Sequence, residues 1–178
     1  LILFGLIGFV SIFWWLNTDP TNDFTINLEG ADNRGKGVAM QEVNIGEHFE
    51  EFSSDYKPLT ETWMRFRGQD FDNISKSPLK LVEKFGAEGP KILWSMQLGE
   101  GHSGAAIYKG LAYILDYNEE ERADKLRCFS LIDGKEQWSR GYDVAVKRNH
   151  GMSRTIPAIT EDYIVTIGPK CHVMCLDR

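Results

Sequence analysis

Cysteine, proline and positive charge are all scarce in this chain, and each scarcity excludes something. Three cysteines among 178 residues are an odd number, which argues against a closed disulfide framework. Cys128, Cys171 and Cys175 do not have the paired CxxC spacing of a structural zinc site, nor the CxxCH of covalent haem attachment. The 20 basic residues are outnumbered by 26 acidic ones, for a net charge of −6. No polybasic run occurs, so the electrostatic footprint of a nucleic-acid or anionic-headgroup binder is missing. Only six prolines accompany 17 glycines. No long helical period appears after residue 60, whereas short apolar runs broken by Gly, Asp and Asn do.

The first sixteen residues, LILFGLIGFVSIFWWL, carry no charge. As a helix they span roughly 24 Å at ~1.5 Å per residue, a little short of the ~30 Å hydrocarbon core. The chain has no initiator Met, and the expectation is a helix that begins upstream of Leu1. Trp14 and Trp15 stand at its end, where amphipathic rings favour the headgroup boundary. A cleaved signal peptide is the competing reading, but no small-residue A-x-A site follows. Residues 1–16 are therefore expected to be a transmembrane anchor. Asp19, Asp23, Glu29 and Asp32 all precede the first cation, Arg34. The missing cations place this flank outside the cytoplasm, in the periplasm.

Residues 17–62 read as an extracytoplasmic tether, interrupted by Gly30, Gly35 and Gly37, with Pro20 and Asn22 marking a turn. Val43, Ile45, Phe49 and Phe52 are candidates for fastening it to a folded body; a loose linker is the alternative. From Trp63 onwards the texture is that of a β protein. Ile92–Trp94, Ala105–Ile107, Leu111–Leu115, Leu126–Leu131 and Tyr163–Ile167 have strand length and are rich in β-branched and aromatic residues. Ser77–Phe85 is the one stretch with room for a helical turn.

The chain repeats itself. Trp94 and Trp138 are 44 residues apart, a typical spacing for four-stranded propeller blades. Ala106 to Ile114 and Leu126 to Ser130 correspond to Ala158 to Thr166 and Val173 to Asp177, so that Cys128 and Cys175 fall at the same place. A two-residue period puts Cys171, Val173 and Cys175 on one strand face and His172 on the other. The cysteines thus read as small core residues rather than metal ligands. In Leu126-Arg-Cys-Phe-Ser-Leu-Ile-Asp-Gly134-Lys135-Glu136-Gln-Trp138 the Asp-Gly pair marks a tight hairpin with positive φ at Gly134.

That unit resembles the blade motif of quinoprotein-type (pyrroloquinoline-quinone-type) β-propellers, roughly L-x-A-L-D-x-x-T-G-K-x-x-W. Gly134, Lys135 and Trp138 match it, while Cys128, Ser130 and Asp133 replace its Ala, Asp and Thr. Gly89-Pro-Lys-Ile-Leu-Trp94 followed by Leu98-Gly-Glu-Gly101-His-Ser103 is similar to the strand entering a blade. The resemblance covers residues 63–178 and implies a mainly β fold: the first blades of a β-propeller behind an N-terminal anchor. It implies that Trp94, Trp138 and Gly134 form blade junctions. About two repeats fit after the anchor, fewer than a closed propeller needs, so a longer protein or a partner on the open edge is expected.

True quinoprotein dehydrogenases of this family hold their quinone and a calcium ion with an adjacent cysteine pair and a tryptophan. No Cys-Cys pair exists here, and no catalytic residue, cofactor ligand or metal ligand is assigned. Asn149–Thr155 reads as a polar loop in which His150 and Arg154 are the candidate binders of an anion or carboxylate. The alternative is a loop whose polar side chains satisfy its own turns. His102 and Ser103 lie in the equivalent loop of the previous repeat, without an orienting carboxylate for nucleophilic chemistry. The acidic run Asp116–Asp124 lacks the spacing of a calcium loop and reads as a solvated hairpin. The function expected is a non-catalytic scaffold or accessory subunit of an integral membrane protein complex, with no cofactor. The alternatives are a membrane-bound quinoprotein oxidoreductase whose cofactor residues lie elsewhere, and carbohydrate or peptide binding on a propeller face.

Overall fold

The structure, a computed structural model, describes residues 2–19, 42–147 and 152–178. It divides into two units, residues 1–41 and 42–178.

In the first unit, the uncharged apolar run forms helix α1, Ile2–Asn17, of 16 residues. Its last carbonyls are closed from within: Asn17 Nδ2 donates to Phe13 O at 2.8 Å and Thr18 Oγ1 to Trp14 O at 2.8 Å. Its apolar side chains point in every direction, from Leu3 to Leu16, and all are exposed. The transmembrane span expected over residues 1–16 is not found. Among the described residues no helix is long and apolar enough to cross a membrane, because 16 residues reach only ~24 Å.

In the second unit every strand pairs antiparallel with its neighbours. Its strands are β1 (His48–Glu51), β2 (Ala106–Tyr108), β3 (Leu111–Asn118), β4 (Ala123–Ser130), β5 (Glu136–Asp143), β6 (Ala158–Ile159), β7 (Tyr163–Ile167) and β8 (Val173–Asp177). The first sheet has five strands in the order β1-β5-β4-β3-β2, and the second has three in the order β6-β7-β8. Strands β2 to β5 form a meander whose first hairpin turns on Lys109 and Gly110, with φ of 47° and 89°. Two consecutive positive φ values are what a two-residue type I′ turn requires. A side chain at Gly110 would also meet Lys57 O at 2.3 Å.

Four sequence expectations differ from the structure. Of the cysteines expected in the core only Cys128 is buried, while Cys171 and Cys175 are exposed, because among the described residues no sheet covers the face that carries Cys175. Part of the tether expected over 17–62 belongs to the β unit, since β1 pairs with the outer edge of β5 and Val43 packs against a buried cluster of Tyr117, Tyr142, Val144 and Met152. Ile92–Trp94 is not a strand: Ile92 and Leu93 are 80% and 74% exposed, and no neighbouring strand supplies a ladder for their backbone. Ser77–Phe85 forms no helical turn and is largely exposed, so its apolar residues gain no packing that would offset the cost of nucleating one.

The internal repeat is present as register. Ala106 pairs with Tyr113, Leu111 with Ser130, Tyr113 with Cys128 and Leu115 with Leu126. Ala158 pairs with Val165, Tyr163 with Asp177, Val165 with Cys175 and Ile167 with Val173. Each pair of the second sheet is the sequence equivalent of one in the first. The two sheets pack face to face, Leu111, Tyr113, Leu115, Leu126 and Cys128 meeting Ile159, Ile164 and Met174 in one core.

Candidate functional site: a carboxylate buried at the junction of the sheets

At one end of that core the side chains turn polar. Asp124 lies on β4 and shares a face with Leu126 and Cys128 by strand alternation, which carries its carboxylate inward until it is 1% exposed. It is met from both sheets. Tyr142 Oη of β5 donates to Oδ2 at 3.2 Å, and Ser153 Oγ, ahead of β6, donates to Oδ1 at 3.4 Å. Gly168, after β7, closes the wall. A Cβ there would sit 2.0 Å from Tyr142 Oη and 2.7 Å from Asp124 Oδ2, so the cluster requires glycine. The His172 ring packs edge-on to Tyr142, with centroids 5.4 Å apart, and its Nδ1 is buried without a hydrogen-bond partner.

Burial raises the Asp124 carboxyl to about 6, against the lowering effect of the Tyr142 and Ser153 hydrogen bonds and with a smaller upward push from Asp116. Burial likewise raises the Tyr142 hydroxyl, assisted by the neighbouring Asp124. The carboxylate is therefore poised to exchange a proton near neutrality. Walled by protein, it ties the sheets together rather than meeting a solute.

A second polar cluster lies on the opposite face of the first sheet. Arg127 grips Glu136 with two hydrogen bonds, 2.8 Å from Nε and 2.6 Å from Nη2, and donates from Nη1 to Asp116 Oδ2 at 2.8 Å and Gln97 O at 3.1 Å. Asp116 Oδ1 in turn accepts from the Gly99 N–H at 2.7 Å. A bidentate, partly desolvated pair of this kind is geometrically specific. It pins the strandless segment around Gly99 and forms one wall of an open cavity of about 590 Å³, lined also by Glu100, Asn118, Glu119 and Glu120. Within the acidic run, Asp116 and Asp124 are thus built into the fold. The solvated hairpin reading holds only for its exposed tip, residues 119–122.

For metal chemistry, the donor atoms of Glu47, His48 and Asp143 lie within 4.8 Å of one another, all on exposed residues. They already answer each other: His48 Nε2 is 2.9 Å from Asp143 Oδ1, and the Asp143 N–H donates to Glu47 Oε1 at 3.2 Å.

The residues singled out in the sequence are scattered over the structure. Trp94 and Gly134 come together: the indole lies over Gly134, where a Cβ would be 2.7 Å from Trp94 Cδ2, and Trp94 Nε1 donates to Leu131 O at 2.8 Å. Gly134 itself has φ +70°. Trp138 is elsewhere, on β5 opposite Cys128 and edge-on to Tyr113 at 6.0 Å. His150 lies outside the described residues, and Arg154 is exposed. The two polar loops meet backbone to backbone, His102 N–H donating to Ser153 O at 2.7 Å and Ser103 Oγ to Thr155 O at 2.6 Å. Ser103 is thereby spent on the loop, not on a His–Ser pair. Trp14 and Trp15 are 71% exposed at the end of α1. Asp124 was missed because it stands in an acidic run, yet its two-residue spacing from Leu126 and Cys128 was a readable signal.

The chain matches no family model, no curated protein and no solved structure.

Proposed function

We propose that the chain is a membrane-anchored, extracytoplasmic segment of a β-propeller that serves as a non-catalytic scaffold or accessory subunit of a larger membrane protein complex. The observation that carries this reading is α1, apolar and exposed on every side; a helix hydrophobic all round belongs in lipid or protein, not in water. Trp14 and Trp15 then sit at the headgroup level. A helix of ~24 Å is accommodated by local thinning of the bilayer. The absence of cations between α1 and Arg34 favours a periplasmic location.

The propeller part is supported by the repeated strand register and by the contact of Trp94 with the Leu131–Gly134 turn. That contact seats the repeat tryptophan on the β4–β5 turn of the first sheet. The scaffold role follows from a rigid β body fixed at a membrane and carrying no assigned catalytic group.

Sedimentation with membranes after a high-salt wash tests the anchor. The full chain should pellet with its complex, and a variant lacking Leu1 to Leu16 should be released. Equal pelleting of both would sink the anchoring role. An absorption spectrum of the native protein tests the scaffold reading, since a bound quinone chromophore would bring the oxidoreductase alternative forward.

A further inference from the structure

Strand alternation gives the second sheet two faces. Ile159, Ile164, Thr166, Met174 and Leu176 point to the first sheet; Ile159, Ile164 and Met174 are buried in the shared core, and Leu176 packs against it. On the other face stand Ala158, Tyr163, Val165, Ile167, Val173 and Cys175, an apolar set interrupted by a charge only at its end, where Asp177 pairs with Tyr163. Tyr163, Ile167 and Val173 are 50%, 46% and 56% exposed, and Ala158 and Cys175 are exposed as well. Charged side chains would be expected on a sheet face that water covers.

The register says what these positions are for. They are the equivalents, pair by pair, of Ala106, Leu111, Tyr113, Leu115, Leu126 and Cys128 in the first sheet. Those six are buried, at 0–6% exposure, and what buries them is the inner face of the second sheet. An equivalent set of largely apolar positions, in the same register, is thus covered once and largely exposed once. β8 is also an unpaired edge, whereas its equivalent β4 is paired by β5. Beside it opens a groove of about 460 Å³, lined by Phe49, Trp138 and Arg140 on one side and Cys175 to Arg178 on the other.

We infer that the outer face of the β6-β7-β8 sheet is an interface for a third sheet of the same repeat, packed on it as the second sheet packs on the first. The occupant presents aliphatic and Met side chains at the positions of Ile159, Ile164 and Met174, at the ~10 Å spacing of packed sheets. A second copy of this chain is the less suitable occupant. Its matching inner face already faces its own first sheet. The inference rests on the propeller reading above but not on the membrane role, and its test is independent of pelleting.

Cys175 reports on the interface. In a Cys171→Ser background it is the exposed thiol, while Cys128 is fully buried and its thiol is raised to about 12. A maleimide reagent should label Cys175 readily in the isolated 178-residue chain. In the native protein labelled in intact cells, before any extraction, that labelling should be largely lost. A photo-reactive residue in place of Val165 identifies the cover: an adduct on a peptide carrying the Gly-Lys-x-x-Trp repeat is the expected result. Equal labelling of Cys175 in both settings would overturn the inference. So would an adduct on a second copy of residues 152–178, on lipid, or on a peptide without the repeat. If Leu1 to Leu16 proves dispensable for pelleting while Cys175 is protected, the membrane role fails and the interface stands.

Discussion

The two sheets of the β unit are one pattern in two environments. Leu126 and Val173 occupy equivalent register positions, yet the first is 0% exposed and the second 56%. Cys128 and Cys175 differ in the same way, one buried and one exposed. The local chemistry of the strands does not account for this: both sets are small or branched apolar residues with one tyrosine each, in antiparallel ladders. The difference is what lies alongside. The first sheet has the second against this face and β5 along the edge of β4, whereas the equivalent face and edge of the second sheet have neither. Burial here belongs to the stacking order and not to the residue, as in any architecture whose units bury their faces on neighbours.

The comparison can be broken most forcefully at Leu126. Leu126→Ala should cost about 2–5 kcal/mol, the range for emptying a tightly packed site. Val173→Ala should stay within about 0.5 kcal/mol in the isolated chain. Urea unfolding of the two variants checks this, and equal losses would mean that the sheets are not differently covered.

Next in size is the carboxylate that only the junction possesses. The folded state holds the Asp124 carboxyl at about 6 against an ordinary 3.8, so the folded protein binds the proton more tightly than the unfolded chain. Stability from this group is fully present below the ordinary value and is lost as the pH rises through 6. The loss amounts to roughly 3 kcal/mol. Unfolding free energies between pH 4 and pH 8 should therefore fall in the wild type and stay flatter in Asp124→Asn. Parallel curves would remove Asp124 from the account.

Smaller effects sharpen the picture. Trp94→Phe keeps the ring over Gly134 but deletes the hydrogen bond to Leu131 O, at a cost of about 1 kcal/mol. Hydrogen exchange should then speed up around Gly134 and leave β7 and β8 unchanged. Smallest of all, Tyr163→Ser on the open face should alter stability by less than about 0.5 kcal/mol, a thermal melt being sufficient to see it.

Much of the β unit is legible in the sequence. The strands containing Ala106, Leu111, Leu126 and Tyr163 announced themselves by β-branched and aromatic runs between turn residues, and the equivalence of Cys128 with Cys175 came from the repeat alone. Ile92–Trp94 was misread because its composition suits a strand, but a strand exists only when another backbone runs beside it. Residues 48–51, where Phe49 reads as a fastening residue, do not read as a strand for the opposite reason. His48-Phe-Glu-Glu51 has little strand character, and pairing with β5 overrides that weak preference. Asp124 and Asp116 looked like one acidic loop; the hairpin places them on opposite faces of the sheet, one at the junction with the second sheet and one beside Arg127.

What the sequence determined by itself was therefore local: an uncharged helix, alternating strands, the Asp133-Gly134 turn, and a unit that occurs twice. These follow from side-chain periodicity and backbone sterics, which act over a few residues. The tertiary structure decided which apolar face is covered, which aspartate is buried and raised towards neutrality, and which tryptophan meets which glycine. Those outcomes depend on groups more than 25 residues apart along the chain, such as Asp124 with Ser153 and Trp94 with Leu131. Burial and electrostatics are properties of what surrounds a group, and the surroundings are assembled only when the sheets pack.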